Sequence, residues 1–119
     1  MAAPNLKSPT TIYGKTARYA VGSGLATAIS GVPSGMVYKV NSIFCANVAN
    51  PDAAVDISVS IYDGATDYYI ARTIVVPADA TQVISSKDTY FYLEEGDSLR
   101  AVANTASGVV LVVGYEEIS

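Results

Sequence analysis

The chain has 119 residues, half of them hydrophobic, 15% charged, with a net charge of −4. That length is one domain with room for its own core, the apolar fraction excludes a disordered chain, and the acidity speaks against nucleic acid, whose phosphates call for a basic stripe. There is no His and no Trp, so Ser–His–Asp and Cys–His catalysis and His-ligated metals are excluded together.

In chain order, residues 1–10 hold Pro4 and Pro9 and no periodicity, and are expected to form a short extended arm outside the fold. They contain no apolar signal-peptide region, so synthesis in a cytoplasm is expected. Residues 11–119 are expected to be a single all-β domain. Val, Ile and Thr contribute 15, 9 and 9 residues and Tyr another nine, all types that suit a pleated surface. Strands are predicted over 11–21, 25–29, 36–48, 55–62, 67–76, 81–85, 89–93, 98–104 and 109–117. Val55, Ile57, Val59 and Ile61 alternate with Asp56, Ser58 and Ser60 without a break, which sends the odd positions into a core. Leu99, Ala101 and Ala103 alternate more weakly with Arg100, Val102 and Asn104.

Residues 36–48 and 68–76 are partly apolar on both faces, a pattern for strands covered on one side by the core and on the other by a neighbouring subunit. Turn signals fall between the strands, Gly22-Ser23-Gly24, Asn50-Pro51-Asp52, Asp63-Gly64 and Gly96-Asp97 among them. Eight or nine short strands so punctuated predict an antiparallel β-sandwich with jelly-roll topology. No helical stripe is present, and the longest strongly apolar run, 109–113, is strand-sized and too short to span a membrane as a helix.

The candidate sites each have a structural explanation that outweighs chemistry. Asp63 and Asp67 flank a Gly-containing loop but lack the spacing of a calcium loop, so a hairpin turn is the expectation there and no metal. Glu94, Glu95 and Asp97 bring three acids into four residues. The preferred reading is a turn in which Gly96 takes positive φ, Asp97 bonds backbone amides beyond it, and Leu93 and Leu99 plug both ends into the core. This Leu-x-x-Gly-Asp-x-Leu pattern is shared with strand connections of jelly-roll proteins. Gly22-Ser23-Gly24 lacks the Lys-Ser/Thr of a phosphate loop and reads as a hairpin turn. Cys45, the lone thiol, has no His to activate it and reads as a packed core residue. The surplus of Tyr is the unusual feature. Tyr68 and Tyr69 must point to opposite faces of one strand, while Tyr90 and Tyr92 share a face. Contact with a subunit or partner is the favoured role for these rings, ahead of core and rim packing and of glycan binding.

Six segments occur in order along the chain: Ile12-Tyr13-Gly14-Lys15-Thr16-Ala17, Tyr38-Lys39-Val40-Asn41-Ser42-Ile43, Asp67-Tyr68-Tyr69-Ile70-Ala71, Val76-Pro77-Ala78-Asp79-Ala80-Thr81, Tyr92-Leu93-Glu94-Glu95-Gly96-Asp97-Ser98-Leu99-Arg100 and Tyr115-Glu116-Glu117-Ile118. Together they resemble small virion structural proteins of tailed bacteriophages, particularly those infecting cyanobacteria. The resemblance implies a non-enzymatic β-sandwich of the outer particle without cofactors. The function expected from it is that of a capsid decoration (cement) protein, with a neck, tail or fibre component, in contact with a receptor or glycan or not, as the alternative. It also implies a homotrimer partnered by the major capsid protein; the acidic charge places that trimer on the outer capsid surface, away from nucleic acid, and no membrane partner is expected. In that setting Pro4 and Leu6 of the arm join Tyr68, Tyr69, Tyr90 and Tyr92 as expected interface residues.

Overall fold

A computed structural model describes residues 4–106 and 108–119. Nine strands account for the described secondary structure apart from one short 3₁₀ turn, Lys87–Thr89. They are β1 (Ile12–Val21), β2 (Ala26–Ile29), β3 (Val37–Asn47), β4 (Val55–Tyr62), β5 (Asp67–Val76), β6 (Thr81–Ser85), β7 (Phe91–Leu93), β8 (Ser98–Ala103) and β9 (Val109–Ile118). The predicted strand over 89–93 is shorter than expected, because Thr89 closes the 3₁₀ turn that carries the chain from β6 to β7.

All pairings are antiparallel. One sheet, here sheet A, runs β1-β9-β3-β6, with β7 also on β3; the other, sheet B, runs β2-β8-β4-β5. Since β6 and β7 lie along the same edge of β3, they act as one interrupted strand, and each sheet has four strand lines. That order is a jelly roll. Gly22-Ser23-Gly24 is therefore not a hairpin turn: β1 and β2 belong to different sheets, and the turn carries the chain from one to the other.

The core lies between the sheets. Val21, Val40, Ile43, Cys45, Leu93, Leu111 and Val113 enter it from sheet A, and Val55, Ile57, Val59, Leu99 and Ala101 from sheet B, each at most 1% exposed. Ile61 is partly buried against the same cluster. At β3's end, buried Asn47 donates to the carbonyls of Ala53 (2.7 Å) and Val76 (2.9 Å) and accepts from the Ala49 amide, so the strand ends satisfy one another. Residues 4–10 form no strand. The Ser8 amide closes a turn onto the Asn5 carbonyl at 3.1 Å, and Thr10 is anchored by its amide to the Ser119 carbonyl at 2.6 Å. Residues 1–3 of the expected arm lie outside the described residues.

Candidate functional site

The acidic clusters are occupied by their own turns. Asp63 Oδ1 accepts from the amides of Ala65 (2.9 Å) and Thr66 (2.7 Å), which holds its carboxyl below the usual Asp range. Gly64 supplies the positive φ that this turn requires. Asp67 is engaged elsewhere, with Ser60 and Arg100. Asp97 bonds backwards, not onwards: its Oδ2 accepts from the Glu94 amide at 2.9 Å, and its own amide donates to the Glu94 carbonyl at the same distance. Gly96 sits at φ 88°, and its amide donates to the Val32 carbonyl while Val32 donates to the Asp97 carbonyl. The turn thereby locks the β2–β3 connection to the β7–β8 connection, with Leu93 and Leu99 fully buried on either side. Among the described residues, no three of His, Cys, Asp or Glu gather as a metal site. Burial pushes the Cys45 thiol up, and its Sγ donates to the Gln82 carbonyl at 3.6 Å.

Near the β4–β5 turn the outer face of sheet B carries a self-paired polar group, while further along Val75, 54% exposed, and Val102 lie on the same face. Ser60, Tyr62, Asp67 and Arg100 make up the polar group by register. Ser60 Oγ donates to Asp67 Oδ1 (2.9 Å), Arg100 Nη1 lies 3.5 Å from Asp67 Oδ2, and the guanidinium stacks 4.2 Å over the Tyr62 ring. Sequence reasoning missed this group, because a bulge at Ile70 reverses the alternation between Ala71, which faces the core, and Asp67, which faces outward beside Tyr62.

The outer face of sheet A has a different character. Cross-strand register places Ala20, Val110 and Ala46 in one row and Arg18, Val112, Phe44 and Val83 in the next. Val83 is 57% exposed and, just beyond β3, Val48 is 51% exposed. Further along β3 the same face carries Lys39 opposite Tyr92, with the Lys39 ammonium 4.4 Å from the Tyr90 ring centroid and the two tyrosines packed edge to face at 5.9 Å. Tyr90 and Tyr92 thus belong to the margin of an apolar sheet face, and Phe44, Val83, Val110 and Val112 are its centre.

The six expected interface residues do not form one site. Tyr69 faces outward on sheet B, stacked on Arg72, whereas Tyr68 pairs with Ile61 on the other side of β5. Both rings are exposed at the sandwich edge where β5 adjoins β6 and β7. A shallow cleft of about 240 Å³ opens on that edge between Ile70 and Ile84, Ser85, Thr89 and Phe91. Leu6 is exposed and Pro4 half-buried, both ahead of β1 and so on another part of the molecule.

No family model matches the chain, and no curated protein does. Solved structures match by fold. A subunit of the disulfide-linked pili of Bacillus endospore appendages superposes with a TM-score of 0.56 at 12% identity, over 92% of this chain and 87% of that one. The capsid structure of Helicobacter pylori bacteriophage KHP30 contains a chain matching with a TM-score of 0.56 at 15% identity, over 94% of this chain and 90% of that one. At these identities the likeness is one of fold: this chain shares its jelly roll with subunits of assembled fibres and shells.

Proposed function

We propose that the chain is a structural subunit of a tailed-phage virion, a decoration (cement) protein that binds the outside of the capsid as a homo-oligomer, a trimer by the sequence resemblance, and holds neighbouring copies of the major capsid protein together. The observation that carries this reading is the outer face of sheet A. Phe44, Val83, Val110 and Val112 make an apolar surface on two central strands and an edge strand, of the kind that monomeric proteins keep small and assembled ones cover. The shell is the surface that covers it. The capsid likeness of the fold supports the same setting, and the acidic chain favours a place outside the shell, away from packaged DNA. Tyr68 and Tyr69 on the β5 edge supply contacts between copies, and the arm, with Pro4 and Leu6, lies along a neighbour, where main-chain bonds give affinity. Many equal contacts then add avidity. The disulfide linkage of the spore pili does not carry over, since Cys45 is buried.

The test is to mix the isolated protein with undecorated capsids and locate it by electron cryomicroscopy, alongside a variant lacking residues 2–10. Regular binding on the outer shell by the full chain, weakened by the deletion, is the expected result. Undiminished binding removes the arm's role; attachment confined to the neck or tail moves the protein to those parts of the virion.

A further inference from the structure

We propose that β1 is an open pairing edge that receives β1 of a second copy across a two-fold axis, continuing sheet A from one chain into the next. A sheet edge left straight and unguarded is a template for another strand, and proteins blunt the edges they do not use. Three of the four edges here are blunted. β2 is four residues long and carries an extra residue, Ala28, between Thr27 and Ile29. The line of β6 and β7 is broken by the 3₁₀ turn and bulges at Ile84. β5 holds two bulges, one at Ile70 and one across Arg72 and Thr73, where Thr73 has φ 53°.

β1 has none of these devices. Its ten residues pair with β9 from Ile12↔Ile118 to Val21↔Val109 without one register shift, and no proline interrupts it. Among the described residues, no main-chain group other than those of β9 bonds to β1. Lys15, the residue best suited to guard the edge, is drawn the other way, with its Nζ 3.4 Å from Glu117 on β9.

The occupant follows from the other edges. In a contact between copies, only a second β1 offers an unbulged partner, and two identical strands meeting across a two-fold axis run antiparallel. The side chains accept that arrangement. Lys15 and Arg18 lie on opposite faces, so with Ala17 on the axis neither meets a like charge: Lys15 stands against the partner's Tyr19, Thr16 against the partner's Arg18, and Gly14 against the partner's Ala20. The contact is independent of the shell-binding reading, which rests on the face of sheet A and not on its edge. It links two monomers, or two trimers if the three-fold contact also forms.

Successive residues of an antiparallel edge strand turn their amides alternately inward and outward. Of Thr16→Pro and Ala17→Pro, one therefore removes a bond to β9 and the other an amide on the open edge; the variant that keeps its unfolding temperature identifies the second. Sedimentation equilibrium of the isolated protein should give two copies, or six, and the fold-neutral proline should halve that number. A monomer, an assembly of odd number, or an assembly unchanged by the fold-neutral proline overturns the proposal. Amide exchange on the unmodified protein decides the case in which both prolines unfold the sandwich: slow exchange at consecutive β1 residues supports pairing, and slow exchange at alternate residues alone contradicts it.

Discussion

The side-chain clusters on the two outer faces of the sandwich are built on the same kind of strand and end in opposite states. On sheet B, Ser60, Tyr62, Asp67 and Arg100 satisfy one another through a hydroxyl–carboxylate bond, an ion pair and a stacked guanidinium. On sheet A, Phe44, Val83, Val110 and Val112 have no such network and stand partly or largely open. A polar face whose groups are already paired gains little from a partner, because each contact must first break an existing one. An apolar face gains from any partner that removes it from water, by roughly 25 cal/mol per Å² before the costs of association. The face of sheet A, not the tyrosine-rich edge, is therefore where most docking energy is available.

An aspartate scan separates the three environments most sharply. Ile57→Asp, on the inner side of β4, should abolish folding, because an unpaired buried carboxylate costs several kcal/mol against a total stability of about 5–15. Val112→Asp, on the outer face of sheet A, should leave the circular dichroism spectrum and unfolding temperature near wild type while removing capsid binding. Loss of folding in Val112→Asp would mean that this face is part of the core.

Replacing Tyr68 and Tyr69 together by Ala should weaken association by about 2 kcal/mol if the rings anchor an interface, with the sandwich intact by urea titration. An unchanged oligomer would reduce them to edge packing. Asp67→Ala should cost about 1–2 kcal/mol in the same titration, since it strands the Ser60 hydroxyl and the Arg100 guanidinium on a part-buried surface. Capsid binding should be untouched, in contrast to Val112→Asp.

The smallest effect is confined to alkaline solution. Burial, reinforced by the negative charge of Glu117, pushes the Tyr38 phenol up from 10.0 to about 12. The folded chain keeps a proton that the unfolded chain releases, so stability is level below pH 10 and falls between pH 10 and about 12. Measured by denaturant titration at each pH, Tyr38→Phe should make that part of the stability profile shallower, with a remaining slope from Tyr115, whose phenol burial also pushes up.

Strand positions were legible because period-two alternation and turn residues are local signals. Val55 to Ile61 announced its inner face, and Leu93, Gly96 and Leu99 announced a turn between two core anchors. Sheet membership was not legible, since pairing between β1 and β9 or between β2 and β8 joins residues far apart in sequence. The Gly22-Ser23-Gly24 turn shows the consequence: its residues permit a hairpin or a crossing equally well, and the long-range pairing decides. Bulges hid the faces. The extra residue at Asn41 reverses the alternation within β3, so Lys39 and Phe44 share the outer face despite their odd spacing. One in β5, at Ile70, turns Asp67 to the face that carries Arg100. The sequence could show that residues 36–48 were apolar on two sides, but not which of them lay together.

The most direct test of the account is a reconstruction of the decorated particle at a resolution that shows side chains. The outer face of sheet A, centred on Phe44, Val83, Val110 and Val112, should lie against the shell, with Ser60, Asp67 and Arg100 of sheet B facing solvent. The reverse orientation, or a particle in which Val83 and Val112 remain in water, would contradict it.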